Sequence, residues 1–174
     1  CMADLAEEVA RFYGYDNIPT TLPDGETTMG KLSFKLQVEQ TARDIAEFCG
    51  FSQGMVYSFE SPKVFDKLRI PEDSPLRVTV DILNPLGEDY SIMRTLPLNG
   101  MLTSLATNYN RRNKDVRLYE LGNIYLPKAL PLTELPEERM QFTLGMYGEG
   151  DFFSMKGVVE EFFDKVGLNG KKTY

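Results

Sequence analysis

Three carboxylates near the start of this 174-residue chain have spacing that chemistry can use. Asp4, Glu7 and Glu8 stand at i, i+3 and i+4, which on a helix puts all three on one side. Side by side they repel one another, so they need a counter-charge. Three hard oxygen donors suit magnesium. Acids early in a helix also complement the positive end of its dipole, and spacing alone leaves both roles open. Arg94 is the second candidate. Its guanidinium is a planar fork of donors that clamps phosphate or carboxylate; equally, it can pair with Glu88, Asp89 or Glu120 and pin a turn. Arg111, Arg112 and Lys114 form the one basic cluster. They read either as a solvated helix C-terminus or as a contact to RNA or an acidic partner surface.

Other chemistry is excluded by residue type. The chain has no His, so it holds no His-based triad, no His-ligated zinc and no His general base. Gly145-Met146-Tyr147-Gly148-Glu149-Gly150 has neither dinucleotide-binding spacing nor a P-loop Lys-Ser/Thr. Phe152 and Phe153 read as core residues rather than a base-stacking platform. Cys1 and Cys49 read as reduced thiols of a cytoplasmic protein. With 19 basic against 26 acidic residues, the net charge is −7. An acidic chain is a poor independent binder of nucleic acid, so no DNA partner is expected. No apolar run approaches the roughly 20 residues of a spanning helix, so no membrane segment is expected.

The elements that must position these groups follow from periodicity. Leu5, Val9, Phe12 and Tyr13 make a helix of residues 3–13, with Gly14 as its stop. Residues 15–29, with Pro19, Pro23 and Gly25, read as an extended connector. Residues 31–49 read as a long helix striped by Leu32, Leu36, Ile45 and Phe48. Strands are expected at 55–59, 78–83, 117–126 and 140–147. Ser61-Pro62 should open a short helix. Further helices are expected at Leu98–Asn110, with Leu98, Met101, Leu102, Leu105 and Ala106 inward, and at 154–167, capped by Ser154. This mixture lacks regular βαβ alternation. It reads as an α+β fold with a mainly antiparallel sheet.

Three strings carry a resemblance. They are Asn84-Pro85-Leu86-Gly87-Glu88-Asp89-Tyr90-Ser91-Ile92-Met93-Arg94-Thr95, Arg117-Leu118-Tyr119-Glu120-Leu121-Gly122-Asn123-Ile124-Tyr125, and residues 4–19. Together they resemble the beta subunit of bacterial phenylalanine–tRNA ligase over essentially the whole chain. Asp151-Phe152-Phe153-Ser154-Met155-Lys156-Gly157 is similar to that family's Asp-Phe-Phe-x-x-Lys-Gly segment. The resemblance implies a class II aminoacyl-tRNA synthetase-like core, a mainly antiparallel sheet flanked by helices. It implies residues 1–14 as the last helix of a preceding domain, 15–29 as a connector and 30–174 as the synthetase-like module. The chain would be a piece of a longer protein, its module truncated at the C-terminus.

By the same resemblance, Asp4, Glu7 and Glu8 match an acidic cluster that binds a magnesium ion shared with the alpha subunit. A further Asp of that cluster would fall before Cys1, so no ion is expected in the isolated chain. The whole enzyme takes ATP, phenylalanine and its tRNA, and assembles from two alpha and two beta subunits. The alpha subunit carries the working site, on a strand reading Gly, any residue, aliphatic, Tyr, Arg. Here the string is Gly122-Asn123-Ile124-Tyr125-Leu126, with Leu126 where the arginine should meet phosphate. No catalytic or cofactor-binding residue is therefore expected in this chain. Its role would be scaffold and interface, with the 31–49 helix as the subunit contact. A small-molecule site for ATP or an amino acid, or a tRNA-contacting module, are the other readings.

Overall fold

The computed structural model describes residues 1–168 and 170. The rest of the C-terminal end, including 171–174, lies outside the described residues. The chain divides into two compact units, Cys1–Lys31 and Leu32–Tyr174. In the first, helix α1 (Met2–Tyr13) ends at Gly14, whose φ of 93° is a left-handed conformation that glycine adopts without strain. A 3₁₀ turn, Tyr15–Asn17, follows. The expected apolar face of α1 exists, but Leu5, Val9, Phe12 and Tyr13 are all exposed.

The second unit is α+β. In order it holds α2 (Phe34–Phe48), β1 (Ser52–Gln53), β2 (Phe59–Glu60), α3 (Val64–Lys67), β3 (Ile92–Met93), α4 (Leu98–Asn110), β4 (Val116–Leu126), β5 (Glu137–Tyr147) and α5 (Phe152–Lys165). β4 and β5 pair antiparallel along their full lengths, from Val116↔Tyr147 to Leu126↔Glu137. β1 joins β4 in parallel, so the sheet is mixed, in the order β1-β4-β5. β2 and β3 form a separate antiparallel pair.

The sheet has a helix layer on each face. On one, α2 and α5 bury Ile45, Ala46 and Val158 against Phe51 and Tyr119, with Phe142, Leu144, Met146 and Phe162 packed around them. On the other, Met101 and Leu105 of α4 lie over Gly145, where an added Cβ would come within 2.8 Å of the methionine. Alternation along β5 produces this split, since Leu144 and Met146 point one way and Gly145 the other.

Several expected elements differ. The 55–59 strand shrinks to Phe59 within β2, and a two-residue β1 lies earlier. The 78–83 strand is reduced to one bridge, Asp81↔Ile92. Its partner, β3, is only two residues long between a helical turn and Arg94, so a ladder has nowhere to extend. Ser61 and Pro62 form a turn before α3, whose cap position is Lys63. In α4 only Met101 is buried; Leu98, Leu102 and Ala106 are exposed. Asp151, not Ser154, caps α5. Its carboxylate accepts from the Ser154 N–H at 2.8 Å, and Ser154 Oγ accepts from the Asp151 N–H at 3.3 Å. Phe152 and Phe153 are exposed, because they sit in the first turn of α5, ahead of its buried face.

Tyr119 is 0% exposed, and its hydroxyl donates to Glu47 Oε1 at 2.7 Å. Burial, reinforced by that bond and the Glu47 charge, pushes the phenol up to about 12. The folded state therefore holds this proton more tightly than the unfolded chain, where a tyrosine ionises near ~10. The resulting stability is intact below the unfolded value and is lost as pH rises through the folded one. We expect the urea midpoint to fall across that alkaline window, and to fall less in Tyr119→Phe. Ultraviolet titration should show a late-ionising tyrosine that this variant lacks.

Candidate functional site

A buried ion pair sits against β4. Arg94 follows β3, and its backbone bridges two segments: its N–H donates to Ser58 O, and its carbonyl accepts from the Tyr125 N–H, both at 2.9 Å. Its side chain is 2% exposed. Nε donates to the Asn123 carbonyl at 2.8 Å, and Nη1 to Glu120 Oε1 at 2.9 Å. Of the partners open in the sequence, the structure selects Glu120. Glu88 and Asp89 lie on an exposed helical turn.

Gly122 makes this possible. A Cβ there would lie 2.0 Å from Arg94 Nη2 and 2.8 Å from Glu120 Oε1. The guanidinium rests on bare backbone in the space a side chain would take. Leu126 ends the same strand, half-buried.

A second buried carboxylate belongs to this cluster, and sequence reasoning missed it. Glu60 is 5% exposed. Its Oε1 accepts from Asn99 Nδ2 at 3.1 Å. Burial raises its pKa above the ordinary carboxylate value; the Asn99 bond and the Arg94 charge oppose this, while Glu120 adds to it. The available signal was a lone acid ending the aromatic run Tyr57-Ser58-Phe59. Both Glu60 Oε2 and Glu120 Oε2 are buried without a hydrogen-bond partner.

The other sequence candidates lie elsewhere. Asp4 binds the N-terminal ammonium, and Glu8 pairs with Arg11 at 2.6 Å. Asp4, Glu7 and Glu8 are all exposed on α1. Among the described residues, no group of three or more His, Cys, Asp or Glu is gathered closely enough to hold a metal ion. Arg111, Arg112 and Lys114 are exposed just past α4, with Arg112 at a left-handed φ of 63°. Arg117 instead turns inward, with Nη1 3.5 Å from the Cys49 carbonyl.

The expected stripe on α2 divides. Ala42, Ile45 and Ala46 are buried, whereas Phe34, Leu36 and Phe48 are exposed, Phe48 at 92%. Two grooves flank the helix. One, of about 430 Å³, lies against α5 between Ile45, Phe48 and Lys165. The other, of about 380 Å³, lies over the sheet and is lined by Phe34, Val38, Met140 and Phe142. Exposed apolar surface of this kind marks contact sites.

Comparison with known proteins follows from this geometry. The family model described as the phenylalanyl tRNA synthetase beta chain CLM domain matches residues 18–174. The phenylalanine–tRNA ligase beta subunit of Clostridium tetani is 44% identical over 171 residues, 98% of this chain and 21% of that protein. That of Clostridium acetobutylicum is 45% identical over 166 residues, 95% of this chain and 21% of that protein. The chain thus spans about a fifth of the length of these relatives. In fold, it is similar to the pyrrolysyl-tRNA synthetase of Desulfitobacterium hafniense. The TM-score is 0.62 at 18% identity, covering 79% of this chain and 48% of that one.

Truncating Arg94 would leave Glu120 buried and uncompensated. Arg94→Met should cost about 3–5 kcal/mol of unfolding free energy. Arg94→Met with Glu120→Leu should recover most of it. Urea denaturation of the two variants checks the difference.

Proposed function

The chain belongs to the phenylalanyl-tRNA synthetase beta chain family, and we propose that it is a non-catalytic scaffold and interface module of phenylalanine–tRNA ligase. Residues 30–174 are a class II synthetase-like core, residues 15–29 a connector, and residues 1–14 the last helix of the domain before it. The whole enzyme joins phenylalanine to its tRNA at the expense of ATP in the cytoplasm. It contains two alpha and two beta subunits, and the alpha subunit makes the bonds.

One observation carries this reading: the state of Arg94, the cation packed against β4. Stabilising phosphoryl charge needs positive groups fixed where that charge develops. Arg94 is buried, turned onto the β4 backbone at Asn123 and paired with Glu120. Leu126, at the end of the same strand, has no charge to offer. What the strand provides is rigidity, and what the unit presents outward is the apolar side of α2. That side is the proposed contact with the synthetase-like part of the alpha subunit.

Asp4, Glu7 and Glu8 are the proposed magnesium ligands in the assembled enzyme. The donor chemistry fits, since magnesium takes hard oxygens. In this chain Glu8 pairs with Arg11. An ion here requires that pair to open and further oxygens from the alpha subunit. Once bound, it would neutralise the mutual repulsion of the three acids.

Co-expression with the alpha subunit tests the contact. The chain should co-purify with it. Leu36→Asp and Phe48→Asp, both at exposed positions, should weaken the complex at least tenfold, about 1.4 kcal/mol or more, without lowering the urea midpoint. Calorimetry with ATP and magnesium tests the absence of chemistry. Submillimolar ATP binding by the chain would overturn the scaffold reading.

A further inference from the structure

A recess of about 180 Å³ opens beside Glu60, lined by Val56, Tyr57, Phe59, Tyr90, Asn99 and Thr103, among others. Three of its walls are aromatic. Tyr57 and Phe59 stack with centroids 6.5 Å apart. Tyr90 meets Tyr57 edge-on at 5.9 Å. The fourth wall is the N-terminal half of α4. Gly100 lets that helix close in, since a Cβ there would lie 2.4 Å from Val56 Cγ2.

Charge in and behind this recess does not balance. Glu60 and Glu120 are buried around one buried guanidinium, Arg94, which is bonded to Glu120. Each carboxylate keeps one oxygen with no partner. With both carboxylates ionised the cluster is one positive charge short, and Glu60 is the member that lines the recess. Aromatic faces attract cations, and a carboxylate oxygen accepts an N–H in a strong bond. An anion would meet an uncompensated acid. A volume below the roughly 300–1,000 Å³ of drug-sized pockets suits a side chain or a small amine.

We propose that this recess is a binding site for a primary ammonium group on a short apolar stem, held by Glu60 at the charged end and by Tyr57, Phe59 and Tyr90 along the stem. The ammonium has three donors. Glu60 takes one, and the Thr103 and Ser104 hydroxyls in the same lining can take others. The site is separate from the α2 surface, so it stands or falls independently of the scaffold role. Its natural occupant is either a lysine of a partner protein or a free alkylamine.

Titration of the chain with n-butylammonium, followed through the tyrosine ring resonances, tests the site. Saturable one-to-one binding is expected, perturbing Tyr57 and Tyr90. n-Butanol, the uncharged counterpart, should bind at least tenfold more weakly. Glu60→Gln should weaken ammonium binding at least tenfold. Tyr57→Ala, at an exposed position, should weaken it severalfold. Equal affinity for n-butanol, no saturation, or unchanged affinity in both variants would overturn the proposal. A parallel titration with Nα-acetyl-lysine amide separates the sources. Tighter binding than n-butylammonium assigns the site to a protein-borne lysine, and weaker binding assigns it to a free amine.

Discussion

Arg94 ties the second unit together through both its backbone and its side chain. The backbone joins the segment before β2 to the far end of β4, and the guanidinium reaches back to Asn123 and Glu120 on the same strand. A charge this deeply buried is stable only when paired and hydrogen-bonded. The neighbours follow from that requirement. Gly122 must lack a side chain, Glu120 must offer its carboxylate to the guanidinium, and the residues after β3 must turn toward β4. The β2–β3 pair has only two residues per strand, and this cross-link holds it against the larger sheet.

The same arrangement bears on function. On the proposed reading, in which the alpha subunit handles ATP, a positive side chain beside this strand is the resource that counts. Here that resource is spent inside the fold. The unit keeps a synthetase-like shape while its arginine does structural work. Shape without a free cation suits a part that positions a neighbour, and the exposed side of α2 is where a neighbour would rest.

α2 shows how one helix serves two surfaces. Its small residues, Ala42 and Ala46, are buried, and Ala46 with Ile45 packs on Tyr119 of β4, with Phe142 and Leu144 of β5 around them. Its large residues near the ends, Phe34, Leu36 and Phe48, face outward. A helix packed only on its own sheet has no reason to present phenylalanine to water. The exposed aromatics therefore point to covering from outside the unit.

Local pattern was enough to determine the long elements. α1, α4 and β4 come from local periodicity and fall where the sequence places them, while β5 starts three residues earlier than the expected 140, extended by its pairing with the far end of β4. The family was legible too, because Met93-Arg94-Thr95 and Gly122-Asn123-Ile124-Tyr125 survive as contiguous strings. The acidic triad on α1 was legible as spacing, and the pairing of Glu8 with Arg11 is equally local. Tertiary structure decided the rest. It shortened the strand expected at 78–83, because the length of a strand depends on the partner that pairs with it. It exposed Phe152 and Phe153, because hydrophobicity does not say whether a face finds a neighbour. It chose Glu120 over Glu88 and Asp89 for Arg94, and it brought Glu60 to the same cluster across 34 residues of chain, from 60 to 94. Burial creates those partnerships, and burial is a property of the packed molecule that no single stretch of residues carries.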